Sequence, residues 1–309
     1  MTPVNFGIIN KIIHWPQYYN YVKFRKKYLN CFSQQIHSID DLKKETFNSD
    51  LFIVGSDQVW NPDITKRLDS LVYFFNFLPE SARRMSYAAS FGVNEWKWDY
   101  LTDDVQTLLR KFEYISVREA EGVELCKQTF GLEVSEVCDP TFLLHSYDKI
   151  CGHYNPNKES NQLVYFKFTR NRQVENFLLN QSKLQRMKLV KLGDFHPQKG
   201  CIYRPYYSIK KWLNSIRYAK LIVTDSFHCM AFCVLFNKQF IAMPSSISRS
   251  SRIINLLRHL GLSDRFCIDF QELQKKYDSL YATTIDYKRI NPLVDKLQNQ
   301  GLCFLKQIR

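Results

Sequence analysis

The 309-residue sequence lacks several features that would assign it to a class at once. It has no run of about 18 uncharged apolar residues, the length that crosses a bilayer, and it has no internal repeat or low-complexity segment. Its nine cysteines are scattered, contain no CxxC pair and offer no second ligand pair for a zinc site. We therefore expect a cytoplasmic chain with no signal peptide and no metal, in which the cysteines are small buried apolar residues.

The motifs of common nucleotide and hydrolase sites are absent too. The sequence contains no GxGxxG, GxxxxGK[ST], HExxH or GxSxG, which argues against dinucleotide binding and P-loop chemistry. What is present is the composition of a folded protein, with 45% hydrophobic and 24% charged residues. That balance excludes disorder, collagen and coiled coil, and the length suits about two domains.

Positive charge is concentrated in one stretch of the chain. The stretch from Lys167 to Lys220 contains thirteen lysines and arginines but only two acidic residues, Glu175 and Asp194. It therefore carries +11 of the total net charge of +13. Such a stretch attracts nucleic acid, anionic lipid or phosphorylated molecules, although a solvated face has the same composition.

Apolar runs alternate with amphipathic stretches, which predicts an α/β protein made of two doubly wound halves. The expected domains are residues 1–148, a linker at 149–161, a second domain at 162–282 and a C-terminal helical tail at 283–309 that packs back on the first domain. The strands are expected at 51–54, 84–91, 114–117, 134–138, 163–168, 187–192, 221–224 and 239–243, and the helices at 119–130, 172–182, 208–218, 226–236 and 291–300.

Ligands of open parallel sheets bind beyond the carboxyl ends of the strands, and three sites there stand out. Gly55, Ser56, Asp57 and Gln58 follow the first strand, where the glycine permits close backbone approach; a turn with an Asx cap is the alternative. Asp225, Ser226 and His228 follow the strand at 221–224 and begin a helix, which suits a phosphate or carboxylate. A capped helix whose histidine bonds a backbone carbonyl fits the same pattern.

The third site contains Arg118, at the end of the strand at 114–117. Arginine suits bidentate binding of phosphate or carboxylate, whereas an ion pair with Glu119 or Glu121 is the alternative. The segment SSISRSSR adds Arg249 and Arg252, either as anion ligands or within an exposed loop.

Six segments of the chain resemble the polysaccharide pyruvyl transferase family, in family order and spacing. They are DLFIVGSDQVWNP (50–62), SYAASFG (86–92), SVRE (116–119), CDPTFLL (138–144), WL with LIVTDSFH (212–228) and LLRHLGLSDR (256–265). The resemblance implies two Rossmann-like domains facing a cleft, as in GT-B glycosyltransferases. It also implies transfer of a pyruvyl group from phosphoenolpyruvate (PEP) to two hydroxyls of a sugar, with release of phosphate.

On this resemblance PEP is a co-substrate and no cofactor is needed. The acceptor is a saccharide of a bacterial surface polysaccharide or its lipid-linked precursor. His228 is expected to bind phosphate and donate a proton, and Asp57 to bind the acceptor or activate its hydroxyl. Asp225 either shares that role or caps the helix. Gly55, Ser56, Gln58, Arg118, Ser226, Arg249 and Arg252 are the expected substrate-binding residues.

The chain departs from the family pattern in two places. Ser226 stands where some members have arginine, and the usual opening strand with an NYGA-type loop is missing, which predicts a first domain without that strand. A nucleotide-sugar glycosyltransferase is the first alternative. A polyanion-binding protein is the second, although no RRM, KH or helix-turn-helix signature supports nucleic-acid binding. We interpret the basic stretch as a surface for a phosphorylated or lipid-linked acceptor, with peripheral contact to an anionic membrane.

Overall fold

A computed structural model describes residues 8–29, 31–34, 36–45, 47–65, 69–193, 196–244 and 250–308, with the backbone alone at 8–14. The described residues form two compact units. The first, which we call the five-stranded unit, draws on residues 1–33, 146–245 and 264–285. The second, the β1–β4 unit, draws on 34–145, 246–263 and 286–309. Each unit therefore combines segments that are distant in the sequence.

The strands of the described residues are short and pair in parallel throughout. They are β1 (Phe52–Val54), β2 (Arg84–Ser86), β3 (Ser116–Val117), β4 (Ser135–Glu136), β5 (Gln162–Phe166), β6 (Lys188–Leu192), β7 (Ile202–Arg204), β8 (Leu221–Thr224) and β9 (Gln239–Ala242). The helices are α1 (Ile8–Tyr28), α2 (Ile39–Lys44), α3 (Pro62–Thr65), α4 (Thr102–Leu109), α5 (Ala120–Phe130), α6 (Asp148–Cys151), α7 (Arg172–Leu184), α8 (Ile209–Arg217), α9 (Phe227–Leu235), α10 (Ser251–His259), α11 (Phe270–Ala282) and α12 (Tyr287–Leu305).

The five-stranded unit is a doubly wound sheet with the strand order β7-β6-β5-β8-β9. Apart from Gln162 and Thr224, strands β5 and β8 are continuous apolar runs, as expected of parallel strands covered on both faces. In register, Val164 of β5 lies between Val190 of β6 and Ile222 of β8, and all three side chains are fully buried. Helices α7, α8 and α9 connect successive strands. The sheet therefore brings the residues after β5 and β8 to one edge.

The β1–β4 unit contains two pairs of parallel strands, β1 with β2 and β3 with β4. Isolated parallel bridges at Met85–Tyr114 and Ala89–Val117 place β2 beside β3, so the order is β1-β2-β3-β4. Helix α5 connects β3 to β4 and ends at Gly131, whose φ of 64° is the left-handed conformation of a helix C-cap. The carboxyl ends of all four strands meet at one edge.

Both units are α/β with parallel sheets, which confirms the predicted fold class. The assignment of segments to units differs from the domains expected from the sequence. Helix α1, expected in the first domain, belongs to the five-stranded unit, where it packs on α8, and α10, expected in the second domain, belongs to the β1–β4 unit. Helix α12, in the tail expected to pack back on the first domain, lies in the β1–β4 unit and contacts residues 140–143. The physical reason for the two differences is that α1 and α10 pack against segments that are distant in the sequence, and no local pattern encodes those partners.

Six of the nine cysteines are buried, as expected of small apolar residues; Cys31 and Cys303 are exposed instead, and Cys201 is half-buried. Among the described residues, no helix has both the length and the apolar character needed to cross a membrane.

Candidate functional site

At the edge of the β1–β4 sheet, charged side chains follow the strands. Asp57 comes after β1, Arg118 and Glu119 after β3, and Asp139 after β4. Because parallel strands point the same way, their carboxyl ends bring these groups together. The result is a compact cluster of charges in which Arg118 is central.

Arg118 is buried, with only 3% of its side chain exposed. Its guanidinium donates to Asp139 Oδ2 at 2.8 Å and to Asp57 Oδ1 at 3.2 Å, and its Nε lies 3.6 Å from Glu119 Oε2. Burial alone would lower the pKa of Arg118, but the three carboxylates raise it above its usual value. The alternative ion pair with Glu119 is present as part of a buried network, and the expected role of Arg118 as an anion ligand stays a prediction.

Arg252 joins the cluster from the first turn of α10. It donates to Asp57 Oδ1 at 2.9 Å, so this carboxylate contacts two guanidinium groups, while the Asp57 side chain stays 63% exposed. Burial, followed by the charge of Arg118, lowers the pKa of Arg252. Further along α10, the side chains of Asn255 and His259 both form hydrogen bonds with Oε1 of Glu136, the last residue of β4, each at 2.9 Å. These bonds fix the helix and hence the position of Arg252.

Glu119 is a buried carboxyl that the sequence suggested only as an ion-pair partner. Ser90 Oγ donates to its Oε1 and the backbone N–H of Gly92 also bonds it. Burial raises the pKa of Glu119 above its usual value, against the opposing effects of Arg118 and Ser90. Glu119 therefore packs against Arg118 inside the protein and is not part of an exposed surface.

The loop after β1 packs closely against the loop after β2. Gly55 has φ of 147°, and a Cβ there would collide with the carbonyl oxygen of Tyr87, so glycine is required. A Cβ on Gly92 would likewise collide with the Gln58 side chain. Ser56 lies in this loop, half-buried. These contacts give Gly55 and Gln58 a packing role that orients Asp57; their expected substrate contacts stay a prediction.

At the edge of the five-stranded sheet, β8 leads through Asp225 and Ser226 into α9. Ser226 is the N-cap, and its Oγ accepts from the backbone N–H of Cys229 at 3.3 Å. His228 lies in the first turn, half-buried. Because a helix N-terminus carries partial positive charge, this position favours a phosphate or carboxylate.

Asp225 holds the neighbouring loop instead of capping α9. Its carboxylate accepts from the backbone N–H groups of Phe168 at 2.9 Å and Thr169 at 3.5 Å. Burial raises the pKa of Asp225, and burial also lowers the pKa of Lys167 in the same loop. Asp225 thus joins the residues after β5 to those after β8, and its expected contact with substrate stays a prediction.

The basic stretch from Lys167 to Lys220 does not offer all of its charges to a partner. Lys191 is fully buried, with Nζ 3.1 Å from Glu175 Oε2 and donating to the carbonyl of His196 at 3.2 Å. Arg217 donates to Asp148 at 2.7 Å. Part of the net charge is therefore compensated within the five-stranded unit.

Three residues of these edges were missed or undervalued by sequence reasoning, namely Glu119, Ser90 and Asp139. Asp139 had a recognisable signal, since an Asp before Pro at a strand end is a typical cap. Its Oδ1 accepts from Thr141 N at 3.0 Å while Oδ2 binds Arg118. Arg249, expected to bind substrate, lies outside the described residues.

Comparison with solved structures identifies the fold. A protein of Listeria monocytogenes described as a UDP-N-acetylglucosamine 2-epimerase has a TM-score of 0.52 and 11% identity over 98% of this chain and 79% of that chain. Arabidopsis thaliana UGT89C1 has a TM-score of 0.53 and 12% identity over 100% of this chain and 81% of that chain. At this identity the likeness concerns the fold alone, which is GT-B-like as predicted.

Comparison with curated proteins finds no match. The model of the polysaccharide pyruvyl transferase family, in contrast, matches residues 5–246. That range includes Asp57 and Arg118 at one sheet edge and Asp225 to His228 at the other. Since the match covers well over half of the 309 residues, the chain belongs to the polysaccharide pyruvyl transferase family.

Proposed function

We propose that this protein transfers a pyruvyl group from PEP to two hydroxyls of a sugar and releases phosphate. The observation that carries the proposal is the position of His228 in the first turn of α9, directly after a central strand and behind the Ser226 cap. PEP has a phosphate and a carboxylate, and this helix N-terminus suits either group. The family match covers this segment.

The proposed reaction balances in two steps. The first sugar oxygen bonds to C2 of PEP while C3 gains a proton, and the proton of that hydroxyl passes to a base. The second sugar oxygen then replaces phosphate at C2, and its proton leaves with the base or the phosphate. The products are a cyclic ketal that carries the carboxylate and a methyl group, and inorganic phosphate. The reaction thus needs a proton donor near C3 and an acceptor near the sugar.

In this proposal His228 binds the phosphate and supplies the proton. Asp57 binds the sugar or accepts its hydroxyl proton, because its carboxylate is exposed and is held in one orientation by Arg118 and Arg252. Arg118 acts through Asp57 and is a positioning residue. A preorganised carboxylate loses little entropy when the acceptor binds.

The proposed acceptor is a saccharide of a bacterial surface polysaccharide, or its lipid-linked precursor. PEP is the only proposed co-substrate, and the absence of a metal or further cofactor stays a prediction. Cytoplasmic localisation, which PEP as donor would suit, is likewise a proposal.

The test is phosphate release from PEP in the presence of lipid-linked and nitrophenyl sugars. Replacement of His228 by alanine should reduce the rate by about 10²- to 10⁴-fold, the usual contribution of a positioned acid. The matched control is His153→Ala, since the His153 side chain is 97% exposed in the same unit. Unchanged turnover in His228→Ala would refute the assignment.

The competing function is glycosyl transfer from a nucleotide sugar, since UGT89C1 shares the fold. A ligand that binds the native state raises the melting temperature. We expect PEP to stabilise the protein and UDP-sugars to leave its melting temperature unchanged. Stabilisation by a UDP-sugar alone would favour the alternative.

A further inference from the structure

The first 39 residues of the chain contain five lysines and arginines and no aspartate or glutamate. Most of this segment is helix α1, in which four cations, Lys23, Arg25, Lys26 and Lys27, lie in the last two turns. The same helix is rich in tryptophan and tyrosine. None of its residues has a place in the proposed reaction.

One side of α1 is fixed to the five-stranded unit. The Gln17 side chain accepts from the backbone N–H of Tyr207 at 2.9 Å, and the Tyr28 hydroxyl donates to the carbonyl of Lys149 at 3.2 Å. The helix also packs on α8. The backbone of α1 is therefore anchored, and the opposite side of the helix has a fixed direction.

That opposite side carries large exposed aromatic residues. Trp15, Tyr18 and Tyr19 are 62%, 56% and 59% exposed. Positions 15, 18, 19, 22, 23 and 26 are related by steps of three and four residues, which places them on one side of a helix. Lys23 and Lys26, which are exposed, therefore lie on the same side as the three aromatic residues. We call Trp15, Tyr18, Tyr19, Lys23 and Lys26 the aromatic face of α1.

We propose that the aromatic face of α1 binds the surface of an anionic lipid bilayer. Tryptophan and tyrosine combine an apolar ring with a polar group and prefer the headgroup region of a membrane. Lysine stems lie along apolar surface while their ammonium groups reach anionic headgroups. A helix with this combination lies in the plane of the interface.

The composition of the face selects this partner over others. Burial of three large aromatic side chains against lipid needs no complementary shape, whereas an acidic protein partner would have to supply both pockets and carboxylates. An exposed helix is convex, so it does not form the groove in which rings stack on successive bases of a nucleic acid. Pro16, Gln17 and Asn20 interrupt the apolar character of α1 and argue for a helix that lies on the bilayer.

The test is cosedimentation of the full chain with vesicles. One set contains phosphatidylglycerol and phosphatidylcholine in equal parts, and the other phosphatidylcholine alone. We expect preferential binding to the anionic set. The double variant Trp15→Ser/Tyr19→Ser should lower the partition coefficient at least about tenfold. The matched control is Tyr100→Ser/Leu184→Ser, which removes two large side chains that are 77% and 76% exposed elsewhere and should bind like the wild type.

A second pair of variants separates the aromatic face from the total charge. Lys23→Gln/Lys26→Gln should weaken binding to anionic vesicles, and added salt should weaken it in the wild type. Lys183→Gln/Lys188→Gln removes the same charge from exposed positions in the basic stretch and should leave binding intact. Equal losses in the two variants would attribute binding to net charge and overturn the proposal.

Two further results would overturn it. One is binding to neutral vesicles as strong as to anionic ones. The other is a lipid-free dimer that dissociates in Trp15→Ser/Tyr19→Ser, as followed by sedimentation velocity, since a second copy would then cover the face. The assay contains neither PEP nor sugar, so its outcome is independent of the proposed reaction.

Discussion

At both parallel sheets the candidate residues follow the carboxyl ends of the strands, but the two edges differ in their charged groups. At the five-stranded edge, Ser226 caps a helix whose first turn contains His228, an arrangement that favours an anionic ligand. At the β1–β4 edge, Arg118 is buried among three carboxylates, and Asp57 is the exposed part of the network. In the proposed function, the five-stranded edge binds the anionic donor, and Asp57 at the other edge binds the acceptor or activates its hydroxyl.

The largest expected effect on stability concerns the charge network. Replacement of Arg118 by glutamine leaves buried carboxylates without their cation, which should lower the free energy of unfolding by about 3–5 kcal/mol. Denaturant unfolding measures this loss. The matched control is Arg83→Gln, which breaks an exposed ion pair with Glu113 in the same unit and should cost far less. Equal losses of unfolding free energy in the two variants would mean that the buried network stabilises the protein no more than the exposed ion pair does.

The next largest effect concerns the loop that carries Asp57. Gly55→Ala should destabilise the protein by about 3 kcal/mol, because φ is positive and the new Cβ meets the Tyr87 carbonyl. At Gly131 φ is also positive, but no atom lies within 4 Å of the place that an added Cβ would take, so Gly131→Ala should cost only about 1 kcal/mol. Thermal unfolding compares the two. A smaller loss at Gly55 than at Gly131 would contradict the packing of this loop.

A smaller effect separates capping from ligand binding at the other edge. Ser226→Ala and Ser208→Ala each remove an N-cap, of α9 and α8 respectively, and each should cost about 1 kcal/mol. Calorimetric titration with PEP should show weaker binding in Ser226→Ala alone. Weaker binding in both variants would attribute the loss to general destabilisation.

The smallest expected effect is a pH dependence with opposite signs at two glutamates. Burial raises the folded-state pKa of Glu119, so the folded state holds its proton more tightly, and stability falls as pH rises from the usual carboxyl pKa to the raised one. Glu119→Gln removes that dependence, so the stability of the variant relative to the wild type should increase with rising pH. The hydrogen bond from Arg83 lowers the pKa of Glu113. The stability of Glu113→Gln relative to the wild type should therefore decrease with rising pH. Melting temperatures across acidic to neutral pH test both slopes, and slopes of the same sign would contradict this assignment.

Much of the fold could be predicted from local patterns. Continuous apolar runs such as 221–224 indicated buried parallel strands, and Gly131 marked a helix end. Strand β7 was missed because its half-buried residues form no apolar run. Helices α1, α2, α3, α4, α6, α10 and α11 were also not predicted.

The place of these candidate residues at the sheet edges was predicted, but their contacts were not. The rule that ligands bind after parallel strands selected Asp57, Arg118 and His228 correctly as edge residues. The burial of Arg118 depends on Asp57 and Asp139, which are 61 and 21 residues away, so no local pattern reveals it. Lys191 illustrates the same limit, because its strand reads as basic while its charge is buried against Glu175.

The most direct test of the account is calorimetric titration of PEP into the wild type, His228→Ala and Asp57→Asn. If the donor binds at the five-stranded edge and Asp57 serves the acceptor, PEP binding is lost in His228→Ala and retained in Asp57→Asn, although neither variant releases phosphate at the wild-type rate. Undiminished PEP binding in His228→Ala, or loss of PEP binding in Asp57→Asn alone, would contradict the division of roles between the two edges.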